Sequence, residues 1–445
     1  MNLEAIRQSP LKHIFMYSIP AIIAMLLSSF VTIVDGLFIS KIIGKDALAA
    51  MHLGLPMLYI FLAVGIMIGV GGVSLAGRRL GAKKTNESID VFNQTLLTGS
   101  IALMILSIIF SIGLKPLLSQ IGLDFITQHT MLQYYRVMLW VYPFMNINII
   151  FGMFIRCEGK PHLFMINTIV TTVVNIALDY TFIVKMNLGM RGAAWASGVA
   201  VIIGTLLMIG YFTSSKTLFG FKTFKYIKED LKKTLTNGSS ELIGQLSLSI
   251  TTLFFNIVIM NRMGLLGVAA MTLIGYTYYV FNMIVTGFGQ GVGPIFSFSY
   301  GAKAFTIGIC LRQHTQRIVF VLGIVFFVVF FIGGSAYVQL FTRDVELMNL
   351  VIGGLRLFSL SFLVTGFNLI ASFYFTSVGY AKESAIISTL RGLVLLTLNI
   401  FLLPLIFGNP GIWLVAPVTE MATFIVAIYF LKQINSKMFI EDTRL

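Results

Sequence analysis

Long apolar stretches alternate with short polar ones along the whole chain. A helix needs about 20 predominantly apolar residues to cross the hydrocarbon of a bilayer. Twelve stretches meet that requirement, at 14–40, 52–77, 91–114, 132–156, 163–184, 192–213, 235–261, 268–298, 317–341, 350–377, 384–407 and 411–431. They are long and unbroken, unlike the short alternating segments of a membrane barrel. The pattern predicts an all-α polytopic membrane protein of twelve transmembrane helices.

Composition supports this. Of 445 residues, 57% are hydrophobic and only 11% charged, with a mean hydropathy of +0.91. A soluble domain carries about 25% charged residues, so this chain cannot clothe a globular surface with charge. The net charge of +14 does not indicate nucleic-acid binding, because the bases are not gathered on one face. Twenty-one of the 31 Lys and Arg lie in the N-terminus, the C-terminus and the loops after the even-numbered stretches, and seven on the opposite side. By the positive-inside rule both termini are cytoplasmic. The first apolar stretch has no small-residue cleavage site after it and reads as a retained helix, not a signal peptide. Cys157 and Cys310 form no metal or disulfide pattern. No Ser/His, Cys/His or HExxH constellation and no P-loop is present, so neither an enzyme nor an ATP-driven pump is expected.

Shifted by 220 residues, the sequence aligns with itself. Gly44, Ala49, Ala50 and Met51 fall on Gly264, Ala269, Ala270 and Met271. Gly81-Ala82-Lys83 falls on Gly301-Ala302-Lys303, and Gly159 on Gly379. Six predicted spans separate the copies, so both halves share one orientation, a common plan in secondary transporters. The expected organisation is an N-terminal lobe over 1–213, a cytoplasmic linker over 214–234 and a C-terminal lobe over 235–445. The linker interleaves aromatics with six lysines, which suits either the inner headgroups or solvent.

Ionisable residues at membrane depth are functional candidates, because a carboxylate there costs roughly 2.5–3.5 kcal/mol or more. The first half carries Asp35 and Asp179, each six residues before an outer lysine, Lys41 and Lys185. Ser197 is six residues after Arg191, so all three lie at one level, about 9 Å inside the outer ends. Asn175 is one turn deeper on the face of Asp179. Two carboxylates in low dielectric require a shared proton or an intervening cation, and hard oxygens suit H⁺ or Na⁺. Glu158 stands at the cytoplasmic end of the fourth span and, like Glu241, Arg391 and Glu420 of the second half, is a candidate substrate or gating contact. The second half lacks the acid pair: the shift carries Asp35 onto Phe255 and Asp179 onto Asn399. It holds Glu241, Arg356, Arg391 and Glu420 instead. Glu241 and Arg391 are expected to pair, with substrate contact as the alternative for these residues.

Several motifs together resemble the MATE (multidrug and toxic compound extrusion) transporters. They are Pro20 ahead of Val34-Asp35-Gly36, Gly77-Arg78-Arg79-Leu80-Gly81, Arg156-Cys157-Glu158-Gly159, Asn175-Ile-Ala-Leu-Asp179 and Gly192-Ala193-Ala194-Trp195-Ala196-Ser197. The form around Glu158 resembles the bacterial multidrug branch. The resemblance implies a cation-coupling role for Asp35, Asn175 and Asp179, with Ser197 where the family usually has Thr. Na⁺ at Asp35, Asn175 and Asp179 is one implied occupant and H⁺ the other; no further cofactor is implied. Some relatives carry an acid in helix 10, where this chain reads Gly366-Phe367-Asn368-Leu369. The implied activity is antiport of amphipathic organic cations out of the cytoplasm by alternating access. The implied setting is a bacterial inner membrane, as a monomer among lipids. A flippase of lipid-linked sugars is the alternative; it favours a cavity rich in bases, and only Arg136, Arg356 and Arg391 lie at depth.

Overall fold

A computed structural model describes residues 3–120, 123–221 and 225–442. Helices cover almost all of them. We label the long ones α1 (Pro10–Ile43), α2 (Leu55–Gly81), α3 (Thr85–Gln120), α4 (Phe125–Cys157), α5 (Pro161–Lys185) and α6 (Gly189–Thr213). Next comes a continuous helical run, Lys228–Gly301. Its 74 residues would extend about 110 Å as one straight helix, far more than a bilayer's thickness. It is two helices, α7 over 228–263 and α8 over 265–301, because Gly264 at φ 61°, ψ −157° breaks the helical backbone between them. Then follow α9 (Phe305–Gln339), α10 (Val345–Val378), α11 (Ala381–Phe407) and α12 (Asn409–Met438). With the break counted, the described residues hold twelve long helices, matching the twelve apolar stretches.

Local chemistry sets several ends. Asp124 caps α4 by accepting from the Thr127 backbone N–H at 3.0 Å. Asp344 caps α10 by accepting from Glu346 and Leu347. Pro161 opens α5 at a position where a missing N–H costs nothing.

The internal repeat is written into the backbone. Lys83 and Lys303, 220 residues apart, both take left-handed conformations, at φ 61° and 58°. Gly159 and Gly379 do so at φ 90° and 91°. A non-glycine residue at positive φ is uncommon, so two lysines in register mark one turn built twice.

The chain divides into two compact units. One is formed by Ile19–Gly238, and the other by the N-terminal stretch up to Ser18 together with the chain from Ser239 onward. In the first, the start of α7 packs on α2: a Cβ at Gly71 would lie 1.9 Å from the Thr234 carbonyl oxygen, and Asn237 donates to Ser74 at 3.0 Å. In the second, the start of α1 packs on α8: a Cβ at Gly291 would lie 2.7 Å from the Ser18 Cα. Gly71 and Gly291 are repeat mates under the 220-residue shift. The unit boundaries therefore cut through α1 and α7, rather than following the loops.

The described part of the linker is docked at several points on the rest of the first unit; residues 222–224 lie outside the described residues. Phe219 is fully buried in an aromatic cluster, with its ring centroid 5.4 Å from Phe92 and 5.2 Å from Phe154. Asn93 donates to the Gly220 carbonyl at 3.0 Å and Gln94 to that of Ile227 at 2.9 Å. Arg79 reaches Asp230 at 2.5 Å. The polar side chains of α3 and the end of α2 thus hold the linker to the first unit.

Candidate functional site: the acid pair of the first unit

Asp35 lies near the end of α1, Asp179 and Asn175 on α5, and Ser197 on the third turn of α6. The structure brings all four together. Asn175 Nδ2 donates to Ser197 Oγ at 3.2 Å, and Ser197 Oγ donates to Asp35 Oδ2 at 3.3 Å. The Asp35 and Asp179 carboxyls are near enough for direct side-chain interaction. Asp179 is completely buried, Asn175 almost so, and Asp35 half-buried.

Backbone irregularity shapes this convergence. A π-helical turn, Ile39–Ile43, follows Asp35 by four residues, and a second, Tyr180–Lys185, follows Asp179 directly. The two wide turns pack on each other and on α6. Single π turns inside α-helices are frequent at functional sites, since the extra residue re-aims the side chains beside it. Gly44, at φ 131°, ends the first of them and lets the chain turn into the short helix Lys45–Leu53.

The first unit also holds a buried core cluster that includes Tyr134, Met138, Tyr142, Ile183 and Met190. Tyr135 is tied down by donating to the Met51 carbonyl. Four oxygens of the site are buried without any donor: Asp35 Oδ1, both Asp179 oxygens and Asn175 Oδ1. Buried acceptors without donors are costly. An excess of hard oxygen acceptors with no histidine or thiol among them fits a proton or an alkali cation.

Glu158 is elsewhere and is fully engaged. One carboxylate oxygen accepts from Thr217 Oγ1, Leu218 N at 2.9 Å and Phe219 N at 3.0 Å; the other accepts from Tyr211 Oη at 2.5 Å. It ties the end of α4 to the end of α6 and the start of the linker.

In the second unit, Arg391 does not pair with Glu241. Its Nη2 meets Glu420 Oε1 at 2.6 Å. Glu420 also accepts from Asn368 Nδ2 at 2.7 Å and from Tyr278 Oη at 3.4 Å. Depth along α7 and α11 does suggest a Glu241–Arg391 pair, but Glu420 on α12 is the acid whose face meets α11. Sequence reasoning passed over Tyr278 and Asn368 because neutral polar side chains are common in membrane helices; their only signal was placement inside apolar runs. Arg391 itself sits in a third π turn, Leu390–Val394.

The sequence matches the MatE family over residues 20–181 and again over 242–403, one stretch in each repeat. It is 23% identical over 438 residues to the multidrug export protein MepA of Staphylococcus aureus, covering 96% of this chain and 95% of that one. To MepA of Staphylococcus saprophyticus it is 22% identical over 445 residues, covering 99% and 97%. A MATE crystal structure in the bent conformation superposes with a TM-score of 0.93 at 23% identity, covering 99% of both chains. An outward-facing multidrug resistance MATE family transporter of the MOP superfamily gives 0.90 at 23% identity, covering 96% of both. Matched in both repeats, and folded as these transporters fold, the chain belongs to the MatE family.

Proposed function

We propose that the protein is a secondary multidrug exporter that expels amphipathic organic cations in exchange for H⁺ or Na⁺. The observation that carries this is the set of four donorless buried oxygens on Asp35, Asp179 and Asn175. Such a set is satisfied by taking up a proton or a small cation, and the uptake changes the packing of α1 against α5 and α6. The relatives named multidrug export proteins support multidrug export.

In this reading Asp35 and Asp179 bind the coupling ion when open to the outside. Neutralising them removes their repulsion and lets α1 repack. The bound drug is then held more weakly and leaves; release of the ion to the cytoplasm resets the carrier. The two ligands are linked by a coupling free energy that acts equally in both directions at equilibrium. The setting is a bacterial inner membrane with both termini in the cytoplasm, which the distribution of Lys and Arg supports. Export of lipid-linked pyrophosphates is disfavoured because Arg391 is already engaged by Glu420.

The test is uptake of a fluorescent organic cation into proteoliposomes under separately imposed proton and sodium gradients, with wild type and Asp35→Asn. Uptake driven by one of the gradients, lost in the variant, supports the reading. Equal uptake by both proteins under every gradient, or under none, overturns it.

A further inference from the structure

One joint is built twice, once in each unit, and the two copies are closed differently. In the first unit the start of α7 meets the start of α3 and the end of α2, and ion pairs and hydrogen bonds knit them together. Arg79 reaches Asp230 at 2.5 Å and Glu87 at 3.4 Å, Lys84 meets Glu87 at 3.0 Å, and Asp90 accepts from the Lys225 backbone N–H at 3.2 Å. The 220-residue shift carries Lys84, Glu87 and Asp90 onto Ala304, Ile307 and Cys310, and Asp230 onto Pro10. All four charged groups are therefore replaced by apolar side chains or a thiol. In the second unit the same place is a half-open cavity of about 370 Å³, between the short helix Leu3–Gln8, Pro10 and the start of α9.

Three features define what fits there. The first is charge. Arg7 lines the cavity, is exposed, and makes no ion pair or hydrogen bond among the described residues. The surrounding segments, 3–18 and 303–317, hold five Lys or Arg and one acid, Glu4. The second is depth. The apolar stretches of α1 and α9 begin at 14 and 317, so Pro10 and Leu311 stop four and six residues short of the hydrocarbon. That is about 6–9 Å, the level of the headgroups. The third is the wall. Ile6, Ile307 and Leu311 present aliphatic surface to the cavity. Leu11 and Phe15, one turn apart on α1 and both exposed, lie between this level and the hydrocarbon.

We infer that this cavity is a binding site for an anionic phospholipid of the cytoplasmic leaflet. The phosphate takes Arg7 through charge-assisted hydrogen bonds. The glycerol and first methylenes cover Ile6, Ile307 and Leu311, and the chains rise past Leu11 and Phe15. Basic pockets at the cytoplasmic ends of membrane helices recognise such headgroups. Free phosphate would leave the aliphatic wall uncovered, and an organic cation would meet Arg7 as a like charge. The lipid closes in the second unit a joint that the first unit closes with its own side chains, and it ties the N-terminal helix to α9. None of this depends on the export reading.

Cys310 supplies the readout. It lines the cavity and is half-buried, whereas Cys157, the other cysteine, has no exposed surface. The full-length protein in a neutral detergent is alkylated with N-ethylmaleimide, and labelling of Cys310 is followed by peptide mass. Phosphatidylglycerol at ten times its half-protecting concentration should slow labelling about tenfold, because only empty sites react. Arg7→Gln should raise the half-protecting concentration about fivefold, the share of one base in binding an anionic lipid. Phosphatidylcholine, neutral overall, should also need about fivefold more, and glycerol phosphate should give no protection. Lys115→Gln, in α3 on the outer side, should match wild type. The inference fails if phosphatidylglycerol gives no protection, if phosphatidylcholine protects equally, or if Arg7→Gln behaves as wild type. It fails too if Lys115→Gln shifts protection as Arg7→Gln does, or if Cys310 resists labelling even without lipid. Protection by glycerol phosphate would overturn it in favour of a site for free anions.

Discussion

Ser197 donates to Asp35 Oδ2 at 3.3 Å while itself accepting from Asn175, so one hydroxyl on α6 couples the acid of α1 to the amide of α5. This link holds the acid pair in one place, and the first prediction follows from it. Asp35→Asn and Asp179→Asn should each lower gradient-driven efflux by about 100-fold, within the range of coupling energies seen between linked sites, with membrane insertion unchanged. Ser197→Ala should be milder, at about 1 kcal/mol or some fivefold in ion affinity, and Ser197→Thr should be near wild type. Dye uptake into everted vesicles and ion-dependent quenching measure both. Full efflux in the two Asp variants would end the assignment.

Glu158 is an anchor for the linker. Its carboxylate serves two backbone N–H groups and two hydroxyls. Glu158→Ala strands them and should cost roughly 2–4 kcal/mol, since each hydrogen bond to a charged group contributes about 1.5–3 kcal/mol. The expected signs are a lower melting temperature and faster proteolysis between Thr213 and Phe221, with tetraphenylphosphonium affinity unchanged. A variant that transports poorly yet melts like wild type would instead point to direct contact with substrate.

Gly71 leaves no room for a side chain, with the Thr234 carbonyl oxygen 1.9 Å from where its Cβ would be. Gly71→Ala should therefore destabilise by more than 2 kcal/mol, as overpacking against rigid backbone does. Gly113→Ala in α3 is the control: nothing lies within 4 Å of its Cβ position, and it should be neutral or stabilise by up to about 1 kcal/mol through helix propensity. Thermal unfolding followed by size-exclusion fluorescence separates the two. Equal melting points would show that α2 and the start of α7 are not in close contact.

The two left-handed lysines carry a conformational cost. Lys83→Gly and Lys303→Gly should each stabilise by about 1 kcal/mol, the penalty an L side chain incurs at positive φ. Because the turn is built twice, the effects should be alike and additive, the sites being in different units. Thermal shifts of the two singles and the double measure this. A loss of stability in either would mean that its side chain does more than close a turn.

The order of polar and apolar residues alone determined the class of fold, the twelve helices, the duplicated halves and the level of the acid pair. Each of these follows from properties that act along the chain: span length from bilayer thickness, orientation from Lys and Arg, and depth from the rise per residue. The repeat was legible in Gly81-Ala82-Lys83 and Gly301-Ala302-Lys303 because a tight turn leaves little freedom of composition.

What the chain order could not decide was which faces meet. Two acids at one depth can point to any side of their helices, and only the packing of α1, α5 and α6, widened by two π turns, turned Asp35 and Asp179 toward each other. The same holds for Arg391: depth suggested Glu241, but rotation of α11 and α12 delivered Glu420. Glu158 is buried under a linker whose sequence, aromatics interleaved with lysines, suits either headgroups or solvent; what the sequence did not show is that Phe219 and the backbone N–H groups around it dock on the first unit. Azimuth about a helix axis and the docking of irregular segments depend on contacts far apart in sequence, so they belong to tertiary structure.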